Sequence, residues 1–265
     1  MVDWDAGSYE TTAGVELAPV SDLVVETANV TAGERVIDLA CGTGNAAIVA
    51  ARHGGRVVGI DNAPRLLGVA AQRARDAGVQ LELREGDLHR LPVDTACADV
   101  VLSAFGVVFA TDPVAALGEI RRALRRTGRV VISAWVPDGP IDAMLGAVGQ
   151  IIARVSDARP APRVAWHDPA VVGPLAAQAG LVLDTTTTHW LPIHADSVEA
   201  YVDSNLDHPV AAAILPAIRQ AGAEDEMRQT QLSVLGAANE DPDAFLVHTP
   251  YVVHRLVAAD DPVST

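Results

Sequence analysis

The stretch VIDLACGTGNAAIVAARHG, residues 36–54, joins an apolar run of strand character to a glycine turn at Gly42 and Gly44, then to a helical pattern that ends at Gly54. Glycines at such a turn let the backbone double back tightly and approach a ligand closely, and the helix start behind them offers N–H groups that have no partner within the helix. Gly42, Gly44 and Ala47 also satisfy G-x-G-x-x-A, with Asp61 seventeen residues beyond Gly44, the spacing of a dinucleotide fingerprint. The turn by itself does not choose between ligands.

Working outward, short β-branched runs alternate with longer helical patterns, the mark of βαβ units and a parallel sheet. Strands are expected over 35–39, 56–60, 81–84, 100–103 and 129–134, with a sixth over 181–191 and a last one over 248–257. Pro64 and Pro113 suit first helical turns, Asp112 suits an N-cap, and Gly54-Gly55, Gly78 and Gly128 suit helix ends. Further helices are expected over 141–155, 169–179, 197–206 and 224–238, with a loop at ARPAPR (158–163) and a frayed tail at DDPVST (260–265).

Three acids follow the first three strands. Asp38 lies four residues before Gly42, Asp61 closes VVGID, and Asp87 follows LELREG, at intervals of 23 and 26 residues. One βα unit per interval brings all three to the carboxyl edge of the sheet, where open α/β folds bind ligands. A carboxylate at Asp38 repels a pyrophosphate and suits a cationic group. One at Asp61 accepts hydrogen bonds from two ribose hydroxyls, and one at Asp87 accepts from an exocyclic amine of a base.

At these residues the sequence resembles the class I S-adenosylmethionine-dependent methyltransferases, in the branch that includes ubiquinone and menaquinone biosynthesis methyltransferases. VIDLACGTG, GID, GDLHRLP, DVVLSAFGVVF and EIRRALRRTGRVVISAW fall in family order over roughly 32–135. The resemblance implies an α/β fold: a Rossmann-like seven-stranded sheet in the order 3-2-1-4-5-7-6, strand 7 antiparallel, flanked by helices and carrying a helical cap. It implies S-adenosyl-L-methionine as cofactor. Asp38, Gly42 and Gly44 then surround the methionine moiety, Asp61 with its neighbour Asn62 the ribose, and Asp87 and Leu88 the adenine, while 103–105, including Ser103 and Phe105, lie beneath the sulfonium. Ala40 stands where the family often has glycine, Ala63 where a capping serine is common, and Arg126-Thr127-Gly128 replace a frequent Pro-Gly-Gly.

The remainder is read from composition. A chain of 265 residues is long enough for one large domain. One methyltransferase domain over 1–265 is expected, with an N-terminal lid segment (1–32), a cofactor-binding core (33–135), and cap insertions with the last two strands (136–265). Acids outnumber bases 34 to 19, every base is arginine, and the net charge is −15. Residues 33–135 hold 11 acids and 13 arginines, so the flanks carry 23 acids and six arginines, a net −17. Such flanks oppose nucleic acid and anionic membrane surfaces and suit a neutral or cationic small molecule.

Cys41 and Cys97 are too few for a disulfide framework or a zinc cluster, and no metal is called for. The first ten residues are acidic where a signal peptide is basic, and no apolar run reaches the ~18 residues of a membrane span, so a cytoplasmic protein is expected. Cys41 has no evident base partner and reads as a packing residue. Tyr9 is a candidate lid residue over the cofactor, and His189 and His208, outside the cofactor half, are candidate acid/base groups. A nicotinamide-dependent oxidoreductase shares the glycine turn, but its usual Tyr-x-x-x-Lys relay has no lysine here. A non-catalytic cofactor-binding module is the remaining alternative.

Overall fold

β-branched runs bounded by glycine and proline become strands, and the patterns between them become helices. The computed structural model describes residues 3–156 and 164–259. In chain order its elements are α1 (Ala13–Glu16), α2 (Ala18–Ala28), β1 (Arg35–Leu39), α3 (Asn45–Arg52), β2 (Arg56–Asp61), α4 (Pro64–Asp76), β3 (Glu82–Glu85), β4 (Ala98–Ala104) and α5 (Pro113–Ala123). These are followed by β5 (Leu124–Trp135), α6 (Pro140–Val155), α7 (Pro169–Gln178), β6 (Leu181–Ala195), α8 (Val198–Ser204), α9 (Pro209–Gln220), α10 (Glu224–Ala238) and β7 (Phe245–Ala258). ARPAPR and DDPVST lie outside the described residues.

The strands form one sheet in the order β3-β2-β1-β4-β5-β7-β6, as the resemblance implied. β1 pairs in parallel with β2 and β4, β2 with β3, and β4 with β5. β7 runs against β6. Arg255 meets Asp184, the His254 ring meets the Thr186 hydroxyl, and the Ala259 N–H donates to the Gly180 carbonyl, so residue numbers fall along one strand as they rise along the other.

Two compact units make up the chain. The sheet unit comprises Leu17–Trp135, Val164–Thr188 and Val252–Thr265. Its central strands read as continuous apolar runs because both faces are covered; Val100, Val101, Leu102, Val130, Val131 and Ile132 are fully buried. α2 joins this unit, with Val20, Val24, Val25 and Ala28 at zero exposure along one helical stripe. The second unit comprises Met1–Glu16, Val136–Arg163 and His189–Tyr251. Its helices α6, α8, α9 and α10 bury Met144, Val148, Tyr201, Ile218, Met227 and Leu235.

Helices α1, α2 and α9 lie outside the sequence expectations. α2 has its proline in the first turn, where it costs nothing, and α9 carries Pro216 in its interior, which masks the helical pattern. β5 also differs. Leu124 already pairs with Ala98, and a register shift absorbs the residues up to Arg129, so Gly128 sits within the strand rather than ending a helix. A Cβ at Gly128 would stand 2.6 Å from Leu124 Cδ1 and 3.0 Å from the Asp99 carbonyl, so close approach explains that glycine.

The carboxyl ends of β1 and β4 meet over Gly106, whose φ of −88° needs no glycine. What needs one is space: an added Cβ would lie 2.5 Å from Ala40 Cβ and 2.9 Å from both the Leu39 carbonyl and Ser103 Oγ. Gly106→Ala is expected to cost at least about 2 kcal/mol, read as a melting-temperature loss of roughly 4 to 8 °C. Ala40→Gly in the same chain should recover part of it.

Candidate functional site

The glycine turn after β1 is held by acids. Gly42 and Gly44 are left-handed, at φ 52° and 81°, and so is Ala40 at φ 50°. Ala40 thus occupies, with a methyl group, a conformation that disfavours L side chains by about 1–2 kcal/mol, which accounts for glycine being frequent there in the family it resembles. Asp61, at the tip of β2, accepts from the Gly42 N–H at 2.7 Å through one oxygen and from the Ala63 N–H at 2.9 Å through the other. Asp38, near the end of β1, accepts from the Ala47 N–H in the first turn of α3 at 2.9 Å. Asp38 is 2% exposed and Asp61 6%. Burial, reinforced by the Asp61 charge and opposed by the Ala47 hydrogen bond, raises the Asp38 pKa to about 7.

Sequence reading missed the third support. Thr43 O, Thr43 Oγ1 and Asn45 Oδ1 converge on one guanidinium nitrogen of Arg73, at 2.8, 2.8 and 2.7 Å. Arg73 lies on α4, and the only advance sign of it was an arginine on the helix that follows Asp61. From below, Gly59 admits Cys41: a Cβ at Gly59 would stand 3.0 Å from its Sγ. Burial pushes the Cys41 thiol well above its ordinary pKa, as suits a packing residue.

Asp87 is the acid that stays open, its side chain 64% exposed. One of its oxygens accepts from the His89 N–H at 2.7 Å and lies 2.6 Å from His89 Nδ1, and His89 Nε2 accepts from the Asp112 N–H. Those contacts hold the Asp87 carboxyl below its usual pKa. They also tie the loop after β3 to the start of α5, where Asp112 caps the helix by accepting from Ala115 N–H. Leu88 is half-buried in the same turn, and Asn62 is exposed beside Asp61.

Residues 103–105 complete this edge. The Ser103 hydroxyl donates to the Leu39 carbonyl and accepts from the Val107 N–H, both at 2.9 Å, so it braces β1 against β4. Phe105, left-handed at φ 56°, donates its N–H to Ser133 Oγ and stacks on Trp135 with centroids 4.1 Å apart. The surface there is aromatic.

Tyr9, His189 and His208 belong to the other unit. Tyr9 and His208 both meet the edge of Trp4, and the Ser8 N–H donates to the Asp207 carbonyl. His208 caps α9, its Nδ1 accepting from the Val210 N–H, so the ring proton sits on Nε2 and the base lone pair is in use. Burial lowers its pKa. His189 lies against Tyr251 at 5.5 Å.

With this geometry in view, residues 37–132 match the family model described as a methyltransferase domain. Over this stretch the chain is similar to methyltransferase domains. The chain is 37% identical over 145 residues to an uncharacterised protein of Mycobacterium tuberculosis, covering 55% of this chain and 53% of that one. It is 37% identical over 108 residues to a demethylmenaquinone methyltransferase of Thermus thermophilus, covering 40% and 49%. The chain thus spans about half the length of the curated relatives it matches.

Among solved structures, a putative methyltransferase from Bacillus halodurans aligns at TM-score 0.62 with 15% identity, over 91% of this chain and 99% of that one. The [4+2]-cyclase SpnF aligns at 0.59 with 18% identity, over 92% and 82%. Identities this low show a shared fold.

The donor set fits the cofactor of this class. Asp61 places its carboxylate at the tip of β2, Asp87 presents an exposed acceptor, and Asp38 places a carboxyl beside the turn. Arg73 is the residue whose removal tests the loop. Arg73→Ala is expected to destabilise the protein by about 1.5 to 3 kcal/mol, the range for hydrogen bonds to a charged group, and to weaken S-adenosylhomocysteine binding, both measurable by calorimetry.

Proposed function

We propose that the protein is an S-adenosylmethionine-dependent methyltransferase acting on a neutral or cationic small molecule. The observation that carries this reading is the fate of the turn's donors. The Gly42 and Ala47 N–H groups, which a pyrophosphate would use, are taken by Asp61 and Asp38. The turn therefore presents buried acid, which suits a cationic amino-acid end and a ribose and repels a dinucleotide phosphate.

When bound, the cofactor supplies a methyl group on a positively charged sulfur. Asp87 would accept from the adenine amine with a carboxylate kept ionised by His89. Asp61 would share its lone pairs between the turn and the ribose. Asp38 would meet the amino group. The stacked Phe105–Trp135 pair would line the edge with aromatic surface and keep water from it. Among the described residues no helix is long and apolar enough to cross a membrane, and the acidic flanks favour a neutral or cationic substrate over nucleic acid. Tyr9 and His189 are the first residues of the second unit to test for substrate handling; His208 already serves α9 as its cap.

Titration calorimetry with S-adenosylmethionine, S-adenosylhomocysteine and NAD tests the cofactor, and binding of NAD alone would sink the reading. Because SpnF shares the fold under the name of a cyclase, formation of S-adenosylhomocysteine has to be measured as well. Asp61→Ala should weaken cofactor binding by about 1.5 to 3 kcal/mol and, since it also frees the Gly42 and Ala63 N–H groups, should lower the unliganded melting temperature.

The Asp38 carboxyl gives a pH signature. With a pKa of about 7 it is mostly protonated at pH 6, and a cation bound beside it favours the ionised form. Binding should therefore release a proton near pH 6 to 6.5, and affinity should rise with pH through 7 and then level off. Calorimetry in buffers of different ionisation enthalpy reads that proton directly; affinity that is flat from pH 5.5 to 8 removes Asp38 from the site.

A further inference from the structure

Of the three acids on the carboxyl edge only Asp87 is exposed, yet its carboxylate is not at liberty to turn. The His89 N–H and His89 Nδ1 lie 2.7 and 2.6 Å from one and the same oxygen, Oδ1. The other oxygen, Oδ2, has no partner among the described residues. The tautomer of the ring follows from its far side. The Asp112 N–H points at His89 Nε2 from 3.1 Å, and a backbone N–H can only donate, so Nε2 carries the lone pair and the proton of the neutral ring sits on Nδ1. That proton is the one Oδ1 accepts. His89 is thus a brace with two ends, one on the cap residue of α5 and the other on the acid. The loop itself does not need it. Glu119 on α5 accepts from the Leu91 N–H at 2.8 Å, and Arg122 donates to the Val93 and Leu91 carbonyls at 2.8 and 3.1 Å, so α5 already holds the segment beyond the acid. What His89 adds is a fixed orientation for one carboxylate.

We propose that His89 is a positioning residue for base recognition: by holding Oδ1 of Asp87 it presents Oδ2 as a lone acceptor, which takes a purine bearing an exocyclic amine and turns away one with a carbonyl in the same place. This rests on the reading of Asp87 as the adenine acceptor and deepens it by naming what gives that acceptor its selectivity. A loose carboxylate gives up rotamer freedom when a base binds, whereas a braced one has given it up already. A carboxylate that can rotate also turns aside from a carbonyl, but a fixed Oδ2 meets it oxygen to oxygen, with no donor between them.

The test compares S-adenosylhomocysteine with its 6-oxo analogue, S-inosylhomocysteine, by titration calorimetry on the full chain as wild type, His89→Ala, His89→Asn and Asp87→Ala, with unliganded melting temperatures read alongside. Wild type should prefer the adenine compound about tenfold to a hundredfold, the scale of one hydrogen bond to a charged group. His89→Ala should cut that preference to about threefold or less. His89→Asn, whose amide N–H can stand where Nδ1–H stood but is too short to span to Asp112, should keep the preference within about threefold of wild type while melting as low as His89→Ala. In an Asp87→Ala background, adding His89→Ala should leave the preference where it is. A histidine that only stabilised the fold would make the preference follow the melting temperature through both variants. Wild-type preference in His89→Ala, or equal loss in His89→Ala and His89→Asn, overturns the proposal. Wild type that binds both compounds alike overturns it too and leaves the methyltransferase reading standing, whereas wild type that binds neither brings both down.

Discussion

The Asp61 carboxylate is the point on which the sheet edge turns. It ends β2, and its two oxygens reach the Gly42 N–H of the preceding βα turn and the Ala63 N–H that starts its own helix. Two successive βα units are thereby joined by one charged group that is almost fully buried. The left-handed residues around it, Ala40, Gly42 and Gly44, follow from the need to bring the turn back within its reach. Arg73 supplies the opposing charge from α4, against Thr43 and Asn45, so the loop lies between a carboxylate and a guanidinium.

At the other end of the strands the same logic is repeated with the signs exchanged. Arg129, at the start of the regular part of β5, grips Glu34 through two parallel hydrogen bonds of 2.8 Å and also donates to the Ala28 and Asn29 carbonyls where α2 ends. The pair holds the Glu34 pKa down to about 2. One charged clamp at each end of the central strands leaves the apolar middle to burial alone, which needs no direction.

Sequence reading captured what repeats and lost what is particular. Strand β1 and helix α10 were expected with their observed bounds, because apolar periodicity and glycine or acid punctuation mark them in the chain itself. The acid ladder was legible as spacing, since each βα unit has a nearly constant length. The support of the ladder was not. That Asp61 and Asp38 would take up the turn's own N–H groups, and that Ser103 would be spent on Leu39 and Val107, depends on distances across the fold. His208 failed to declare itself for a related reason: a histidine before a proline looks like a free imidazole in sequence, and its use as the cap of α9 appears only when the helix is seen to start there.

Cys41 sits inside the turn, 8% exposed, against Gly59, and burial, aided by the charges of Asp38 and Asp61, keeps its thiol protonated. A thiol in that state is inert to alkylating reagents until the loop swings away, because attack requires both the thiolate and a path to it. Its rate of chemical modification therefore measures how often the loop opens, and any molecule that seats itself on the turn slows that clock by the amount it holds the loop shut.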